Sequence, residues 1–171
     1  MRRYGLEGPE AVIVTAARTP IGRAVKGSLT RVRPDDLAAG VITAALAKVD
    51  ALDPRTLDDI YVGCAEPRDE QGGNMARRIA VQLGLDNVSA ATINRFCASS
   101  VQTARMAFHA IRSGEGHAFV SAGVECVSRY RGFGSAGVDP VETHNPVFAT
   151  AEQRSLDTAL SNQTWHDPRE D

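Results

Sequence analysis

The chain has 171 residues, of which 43% are apolar, and its 19 basic and 21 acidic side chains give a formal net charge of −2. This composition excludes global disorder, because enough apolar surface is available to offset the entropy cost of ordering. The balanced charge gives no support for a nucleic-acid partner. No apolar run approaches the ~18 residues of a membrane-spanning helix, and the first ten residues lack a signal-peptide core, so we expect no membrane partner.

Three cysteines, Cys64, Cys97 and Cys126, lie far apart along the chain. Their odd number and wide spacing match neither a disulfide framework nor a zinc ligand set. We therefore expect free thiols, no bound metal and a cytoplasmic, reducing location. Cys64 and Cys126 lie in or beside predicted strands, and we interpret both as small core residues.

The first 127 residues alternate between strand-like and helix-like segments. Short apolar runs bounded by Gly, Pro or polar residues predict strands, and apolar residues spaced three or four apart predict helices. The predicted elements are strand 11–17, helix 35–49, strand 57–64, helix 74–84, strand 88–94, helix 97–112 and strand 117–124. This alternation predicts an α/β fold, in which right-handed crossovers join a largely parallel sheet and helices cover both of its faces.

Each predicted helix carries apolar residues at helical spacing, which is typical of a helix with one apolar face. The residues that share a face are Leu37, Val41 and Ala44 in the first helix, Met75, Ile79 and Leu83 in the second, and Val101, Ala104, Phe108 and Ile111 in the third. The pattern changes near residue 128, and residues 129–171 show little periodicity apart from a helical candidate at about 147–160. We predict an α/β domain at 1–127 and a different region at 128–171.

Cys97 is the sharpest candidate for chemistry, because it lies where the third predicted strand meets the longest predicted helix. On the first turn of that helix, backbone N–H groups lack intrahelical partners and the helix dipole favours an anion, so a thiolate is stabilised. The turn also lies at the carboxyl edge of the sheet, where α/β folds bind ligands. The same N–H groups would suit an oxyanion. The alternative is a buried, unreactive Cys97 with Ser99 and Ser100 as ordinary polar residues.

Other candidate residues carry weaker signals. Gly132–Gly137 matches the dinucleotide pattern G-x-G-x-x-G, but no helical pattern follows it, and we interpret it as a loop. His109 lies in the middle of a predicted helix, His117 at a strand start and His144 in a loop. We interpret all three histidines as structural rather than catalytic.

Four blocks, at residues 11–22, 71–77, 94–99 and 121–128, are typical of one enzyme family and occur in the family's order. Through them the chain resembles the thiolases, the acetyl-CoA acetyltransferases and 3-ketoacyl-CoA thiolases. The resemblance implies a thiolase N-terminal α/β half-domain at 1–127, a layered sheet with helices on both faces. It also implies that 128–171 is the truncated beginning of the family's loop domain.

By this resemblance, Cys97 is the catalytic nucleophile that takes the acyl group as a thioester, in cleavage of a 3-ketoacyl-CoA or condensation of acetyl-CoA. The implied partners are acyl-CoA or CoA and a second copy of the chain, in a homodimer that pairs strand 88–94 across a two-fold axis. The thiolases need no cofactor beyond the coenzyme A thioester that is their substrate. Arg129 and Arg131 are candidates for contacting CoA phosphates.

The chain departs from the family pattern at two points. Ser100 stands where the family usually has Gly, and the family's later motifs, with a catalytic His and a second Cys, do not occur. We therefore expect a thiolase that does not complete turnover alone. The alternatives are an inactive thiolase-like fragment that acts as a binding or interaction module and an unrelated cysteine acyl hydrolase. The hydrolase has less support, because no His lies in a recognisable partner motif.

Overall fold

The computed structural model describes residues 9–129, 146–148, 150 and 153. In chain order its main elements are α1 (Pro34–Leu46), β1 (Asp59–Gly63), α2 (Met75–Gln82), β2 (Ser89–Ile93), α3 (Ser99–Ser113) and β3 (Phe119–Gly123). The three predicted helices and the last three predicted strands are thereby confirmed, with ends that differ by a few residues. The α/β fold class is confirmed as well.

The three strands form one parallel sheet in the order β2–β1–β3, so β1 is central. Gly63 at the end of β1 is level with Ile93 of β2 and Gly123 of β3. Parallel neighbours require crossover connections, which α2 and α3 supply. All three strands therefore end at the same edge, and the residues that follow them, 64–65, 94–98 and 124–126, lie at that edge.

Helices lie on both faces of the sheet. Ile60 and Val62 of β1 are fully buried against α1 and α2, which pack on one face. Tyr61 and Gly63 alternate to the other face, which α3 covers. The core cluster on the α1–α2 side consists of Ala38, Ala39, Ile42, Leu57, Ile60, Val62, Cys64, Met75, Ala76, Ile79, Ala80, Leu85 and Val88. The hydrophobic core thus lies mainly between the sheet and α1 with α2.

The predicted strand at residues 11–17 is wrong, because these residues adopt no regular secondary structure. The side chains of Val12, Ile13 and Val14 are 66, 90 and 72% exposed. An apolar run becomes a buried strand only when a neighbouring strand pairs with it and another layer covers it. The described residues provide neither for this segment.

The structure confirms the predicted buried face of α2 but not that of α1. Met75 and Ile79 are fully buried, as the spacing in α2 predicted. In α1 the buried face runs through Asp35, Ala38 and Ile42 instead of the predicted Leu37 face. The face differs because small residues permit close packing of α1 against α2, and the larger residues beside them are only partly buried.

The helix α3 is confirmed, but its apolar face points away from the sheet. Val101 and Phe108 are 72 and 41% exposed, whereas Ser99 and Thr103 are buried. Where α3 begins, the sheet presents Gly63 and Gly123, and the Thr103 hydroxyl lies 2.9 Å from that of Ser121. A polar helix face therefore fits this surface, and the apolar face is left uncovered by the described residues.

The chain divides into two compact units at residues 1–141 and 142–171. The predicted boundary at 127/128 stays a prediction, because most of the sequence from 130 onward lies outside the described residues. Arg131, Gly132–Gly137, His144 and most of the helical candidate at 147–160 are among the residues not described. No helix in the described ranges combines the length and apolarity needed to cross a bilayer.

Candidate active site

Cys97 lies in the turn between β2 and α3, at the carboxyl edge of the sheet, and its side chain is exposed. The alternative of a buried Cys97 does not describe this structure. The prediction that Cys97 lies on the first helical turn is also wrong, because α3 begins at Ser99. The sulfur is therefore presented by the turn that precedes the helix.

The turn around Cys97 is tight and includes a left-handed residue. Phe96 has φ 49°, a conformation that costs an L-residue about 1–2 kcal/mol. The Ala98 N–H donates to the Arg95 C=O at 3.1 Å, and the Ser99 N–H donates to the Phe96 C=O at 3.0 Å. These two N–H groups are therefore occupied within the turn, which removes them from the predicted oxyanion site.

The Ser99 side chain bonds with the residues on the N-terminal side of Cys97. Its Oγ accepts the Arg95 N–H at 2.8 Å and lies 2.6 Å from the Phe96 C=O, to which it donates. The residue is only 3% exposed, although its neighbours in the turn are exposed. The Ser99 hydroxyl thus bonds the Arg95 N–H and the Phe96 C=O, two backbone groups of the residues that precede Cys97.

Asn94 joins the turn to the end of β1. Its Nδ2 donates to the Ala65 C=O at 2.7 Å and lies 3.2 Å from the Cys64 C=O. The Ser99 hydroxyl lies 3.3 Å from the same Cys64 carbonyl. Side chains on both sides of Cys97 therefore contact one short segment after β1.

Glu125 and Gln71 connect this segment to the end of β3. Glu125 accepts the Ala65 N–H at 2.7 Å through Oε2 and the Gln71 side-chain amide at 2.8 Å through Oε1. The Gln71 Oε1 in turn accepts the Cys126 N–H at 2.7 Å. The ends of all three strands are thus linked by side-chain hydrogen bonds next to the turn that carries Cys97.

Two glycines allow α3 to begin close to the sheet. A Cβ on Gly63 would lie 2.7 Å from the backbone of both Ser99 and Ser100. A Cβ on Gly123 would overlap the Ser100 hydroxyl. Ser100 therefore packs over Gly123 of β3.

The other two thiols lie in environments that differ from that of Cys97. Burial raises the pKa of the Cys64 thiol to about 12, and the nearby Glu125 carboxylate adds to this effect. Burial also raises the pKa of Cys126. Because thiolates are the reactive form, both groups are held in their unreactive form at neutral pH. Cys64 is thereby confirmed as a small core residue, whereas Cys126 is half-buried and lies outside the core cluster.

Arg129, a predicted contact for CoA phosphates, is bound to a buried carboxylate. Its guanidinium contacts Glu70 through Nε at 2.5 Å and Nη2 at 2.6 Å, and this hydrogen bonding raises the pKa of Arg129. Glu70 is 1% exposed and also accepts Arg33 Nη1 at 2.8 Å. In this arrangement the Arg129 fork binds a carboxylate of its own chain. Arg131 lies outside the described residues.

The described histidines lie away from Cys97. His117 precedes β3 and so lies at the opposite edge of the sheet, where its backbone N–H donates to the Asp58 carboxylate at 2.7 Å. His109 is ten residues into the chain after Ser99, which at 1.5 Å per residue is about 15 Å along α3. Its ring lies edge-on to Phe108 at 5.4 Å. No group of three or more His, Cys, Asp or Glu residues within the described ranges is arranged to hold a metal ion.

The sequence alone assigned no role to several residues that support the turn. These residues are Gln71, Asn94, Ser99 and Glu125. All four fall inside the blocks at 71–77, 94–99 and 121–128, with no apolar periodicity to explain them. The presence of polar residues inside these blocks was therefore the sequence signal that could have identified the residues supporting the turn.

The family described as "Thiolase, N-terminal domain" matches residues 11–156 of the chain. Among similar proteins, the 3-ketoacyl-CoA thiolase of Bacillus subtilis is 44% identical over 121 residues, which are 70% of this chain and 31% of the relative. The 3-ketoacyl-CoA thiolase of Saccharophagus degradans is 45% identical over the same shares of both chains. The beta-ketoadipyl-CoA thiolase of Pseudomonas knackmussii is 44% identical over 70% of this chain and 30% of its own. The matches thus span about a third of the length of these relatives.

Proposed function

Because this chain belongs to the thiolase family, of which it forms an N-terminal portion, we propose that it carries the acyl-accepting cysteine of an acyl-CoA acyltransferase. The observation that carries this proposal is the exposed Cys97 in a supported turn at the carboxyl edge of the parallel sheet. A thiol at this edge is accessible to a CoA thioester from solvent. The buried Cys64 and half-buried Cys126 offer no comparable nucleophile.

In the proposed reaction, the Cys97 thiolate attacks a carbonyl carbon and a new S–C bond forms. With acyl-CoA, the bond from the acyl carbon to the CoA sulfur breaks, and CoA leaves as a thiolate that takes a proton from solvent. With a 3-ketoacyl-CoA, the thiolate attacks the keto carbon, the adjacent C–C bond breaks, and acetyl-CoA leaves as an enolate that takes up a proton. Both routes leave an acyl thioester on Cys97, which divides acyl transfer into two easier steps.

We propose 3-ketoacyl-CoA or acetyl-CoA as the substrate class, in the chemistry of fatty acid metabolism, and a cytoplasmic location. The names of the similar proteins support this class, and the three free thiols suit a reducing compartment. For the CoA phosphates, Arg131 is the better of the two arginine candidates, since Arg129 binds Glu70. A rise in the CoA concentration needed for half-maximal acylation in Arg131→Ala would support this role.

We propose that the cycle is completed only with groups beyond those described here. Neither His109 nor His117 lies where it could exchange a proton with Cys97, and the apolar face of α3 has no cover among the described residues. The remaining two thirds of a thiolase would supply both. The same observations favour a second candidate, an inactive thiolase-like module that binds CoA or a partner without turnover.

Acylation of the purified chain separates these functions. We would incubate the chain with acetyl-CoA and separately with acetoacetyl-CoA, measure its intact mass, locate any adduct by peptide mapping, and follow consumption of the ketoacyl-CoA. Cys97→Ala removes the proposed nucleophile, and Cys126→Ala is the matched control that removes a thiol away from the turn.

The expected result is one acetyl group on Cys97 in the wild type and in Cys126→Ala, with no repeated turnover. Repeated turnover would show that the chain is an active enzyme and exclude the inactive module. The absence of any adduct, with full occupancy in a CoA-binding assay, would favour the binding module and contradict the nucleophile.

We also propose a homodimer in which β2 pairs with its copy across a two-fold axis. The Ile93 C=O accepts the N–H of Cys64, the residue after β1, so alternation turns the backbone groups of Ala90 and Thr92 toward the outer edge of the sheet. Asn74 bonds the Ala90 C=O and the Thr92 N–H, so a partner strand would pair through the Ala90 N–H and the Thr92 C=O. Light scattering should give a dimer for the wild type and a monomer for Ala90→Pro, and a monomeric wild type would contradict the pairing.

A further inference from the structure

Ser99 has a role that follows from its burial beside an exposed nucleophile. Within the strand-to-helix turn, residues 94–98 and Ser100 are exposed, whereas Ser99 is 3% exposed. A buried hydroxyl costs free energy unless it is hydrogen-bonded, so its partners indicate what it contributes. Because Ser99 lies two residues after Cys97, this inference rests on the proposed function of that cysteine.

The Ser99 hydroxyl uses both its acceptor and its donor capacity on the residues before Cys97. It accepts the Arg95 N–H at 2.8 Å and donates its single proton to the Phe96 C=O at 2.6 Å. The two bonded groups flank the Arg95–Phe96 peptide, and Cys97 follows at once. The hydroxyl therefore fixes the backbone that carries the cysteine.

The backbone that Ser99 holds is one that the chain does not adopt without support. Phe96 has φ 49°, in the left-handed region that disfavours a side chain of this size. Residues in this region persist only when surrounding interactions determine them. Loss of the hydroxyl would allow Phe96 to relax toward negative φ and would rotate the peptide that leads into Cys97.

The turn is also tied to the sheet at the Cys64 C=O. Asn94 Nδ2 donates to this oxygen at 3.2 Å, and the Ser99 Oγ packs against it at 3.3 Å. The Cys64 carbonyl, just after β1, thus contacts one residue on each side of Cys97. The position of the Cys97 sulfur relative to the sheet edge depends on these contacts.

We propose that Ser99 is a positioning residue for Cys97. Its hydroxyl holds the left-handed turn so that the sulfur is directed at the carbonyl carbon of a bound thioester. It acts through the backbone and does not itself contact the substrate. Correct alignment of reacting groups is worth orders of magnitude in rate, so a small rotation of the turn should be visible in acyl transfer.

The test compares two reactions of the same sulfur. Acetyl transfer from acetyl-CoA requires a directed approach to a carbonyl, whereas alkylation by iodoacetamide requires only an accessible thiolate. Both rates would be measured on the full chain for the wild type, Ser99→Ala, Ser99→Thr and Ser100→Ala. Ser99→Thr retains the hydroxyl, and Ser100→Ala is the matched control because its hydroxyl packs over Gly123.

The expected result is a loss of acetyl transfer of ~10-fold or more in Ser99→Ala, with alkylation of Cys97 within about threefold of the wild type. Ser99→Thr should recover most of the transfer rate, and Ser100→Ala should retain it. Equal losses in both reactions, or acetyl transfer in Ser99→Ala within twofold of the wild type, would overturn the positioning role. Amide hydrogen exchange across α3 checks that each variant keeps the fold.

A wild type that takes no acetyl group would contradict the proposed function instead. Ser99 would then be judged by amide exchange of Arg95, whose N–H bonds the Ser99 hydroxyl, and of Ala98, whose N–H bonds the Arg95 C=O; this measurement needs no substrate. Faster exchange of these amides in Ser99→Ala, reversed in Ser99→Thr, would support the claim that the Ser99 hydroxyl fixes the turn. Unchanged exchange in Ser99→Ala would overturn that claim.

Discussion

At the scale of single residues, three thiols of one chain differ in the chemistry open to them. Cys97 is exposed in its turn, Cys64 is 1% exposed beneath the sheet edge, and Cys126 is half-buried. A thiolate buried near the Glu125 carboxylate meets both a desolvation cost and a like charge, so the proton stays on the Cys64 sulfur. Local environment, not residue type, therefore distinguishes the candidate nucleophile.

This difference predicts selective alkylation of the native chain. The pKa of Cys64 is raised from 9.0 to about 12, which reduces its thiolate fraction at neutral pH roughly a thousandfold. Limiting iodoacetamide at pH 7.5 should therefore modify Cys97, with Cys126 slower because burial also raises its pKa, and Cys64 unmodified. Peptide mass mapping locates the label, and the unfolded chain in urea is the control, in which all three thiols should react. Early labelling of Cys64 in the native chain would contradict its burial.

At the scale of elements, the start of α3 is brought close to the sheet by glycines on two neighbouring strands. Gly63 and Gly123 are level with each other in the parallel register. The backbone of Ser99 and Ser100 occupies the space where a Gly63 Cβ would lie, and the Ser100 side chain occupies the space over Gly123. The helix that follows the nucleophile turn can therefore lie closer to the sheet than side chains on these strands would allow.

The two glycines should differ in their tolerance of alanine. A Cβ on Gly63 meets the backbone at 2.7 Å, so α3 must move, and overpacking of this kind costs about 2–3 kcal/mol in the free energy of unfolding. A Cβ on Gly123 meets mainly the Ser100 hydroxyl, which can rotate, so Gly123→Ala should cost about 1 kcal/mol. Urea unfolding measures both values. Adding Ser100→Gly should relieve Gly123→Ala but not Gly63→Ala, and equal costs for the two alanines would contradict the geometry.

The sequence predicted these elements better than it predicted their surroundings. Helical spacing of Met75 and Ile79 identifies both α2 and its buried face, because one layer covers that face. The spacing of Val101 and Phe108 identifies α3 but misleads about its burial, because periodicity does not say which layer lies on which side. The support of the Cys97 turn by Ser99 and Asn94 was not predictable. The Cys64 carbonyl, which Asn94 bonds and Ser99 contacts, lies about 30 residues earlier in the chain.

At the scale of the whole molecule, a buried carboxylate joins three distant parts of the chain. Glu70, in the segment before α2, binds Arg33 at the start of α1 and Arg129 after β3. The two guanidinium side chains are only 11 and 13% exposed. Removing the central charge takes from Arg129 its buried carboxylate and leaves Arg33 with Asp35, at 3.0 Å, which is more costly than loss of a surface pair.

Glu70→Gln should therefore lower the free energy of unfolding by about 3 kcal/mol. Its matched control is Glu66→Gln, which removes the same charge from a solvent-exposed pair with Arg68 at 3.6 Å. That control should cost less than about 1 kcal/mol, because exposed ion pairs are screened by water and salt. Urea denaturation of both variants gives the comparison. Similar costs for the two substitutions would show that Glu70 is not the link among the three segments.

Apolar side chains that this portion of a thiolase leaves exposed include those on the outer face of α3 and at residues 12–14. Val101 and Phe108 are 72 and 41% exposed on α3. Exposed apolar surface on one helix face is typical of an interface, and in an isolated chain it promotes association and dye binding. The face contributes little to the stability of the described fold, because its side chains are not packed against it.

Replacing Val101 and Phe108 together by serine should therefore separate surface behaviour from stability. We expect weaker fluorescence of a bound apolar dye and less association at raised concentration, with a change in the free energy of unfolding of at most about 1 kcal/mol from altered helix propensity. Arg105→Ser, on the exposed surface of the same helix, controls for serine in α3 and should change neither dye binding nor association. A large loss of stability in the double variant would instead show that the apolar face of α3 is packed within this chain. That result would contradict the exposure of Val101 and Phe108, from which we infer that another layer covers this face.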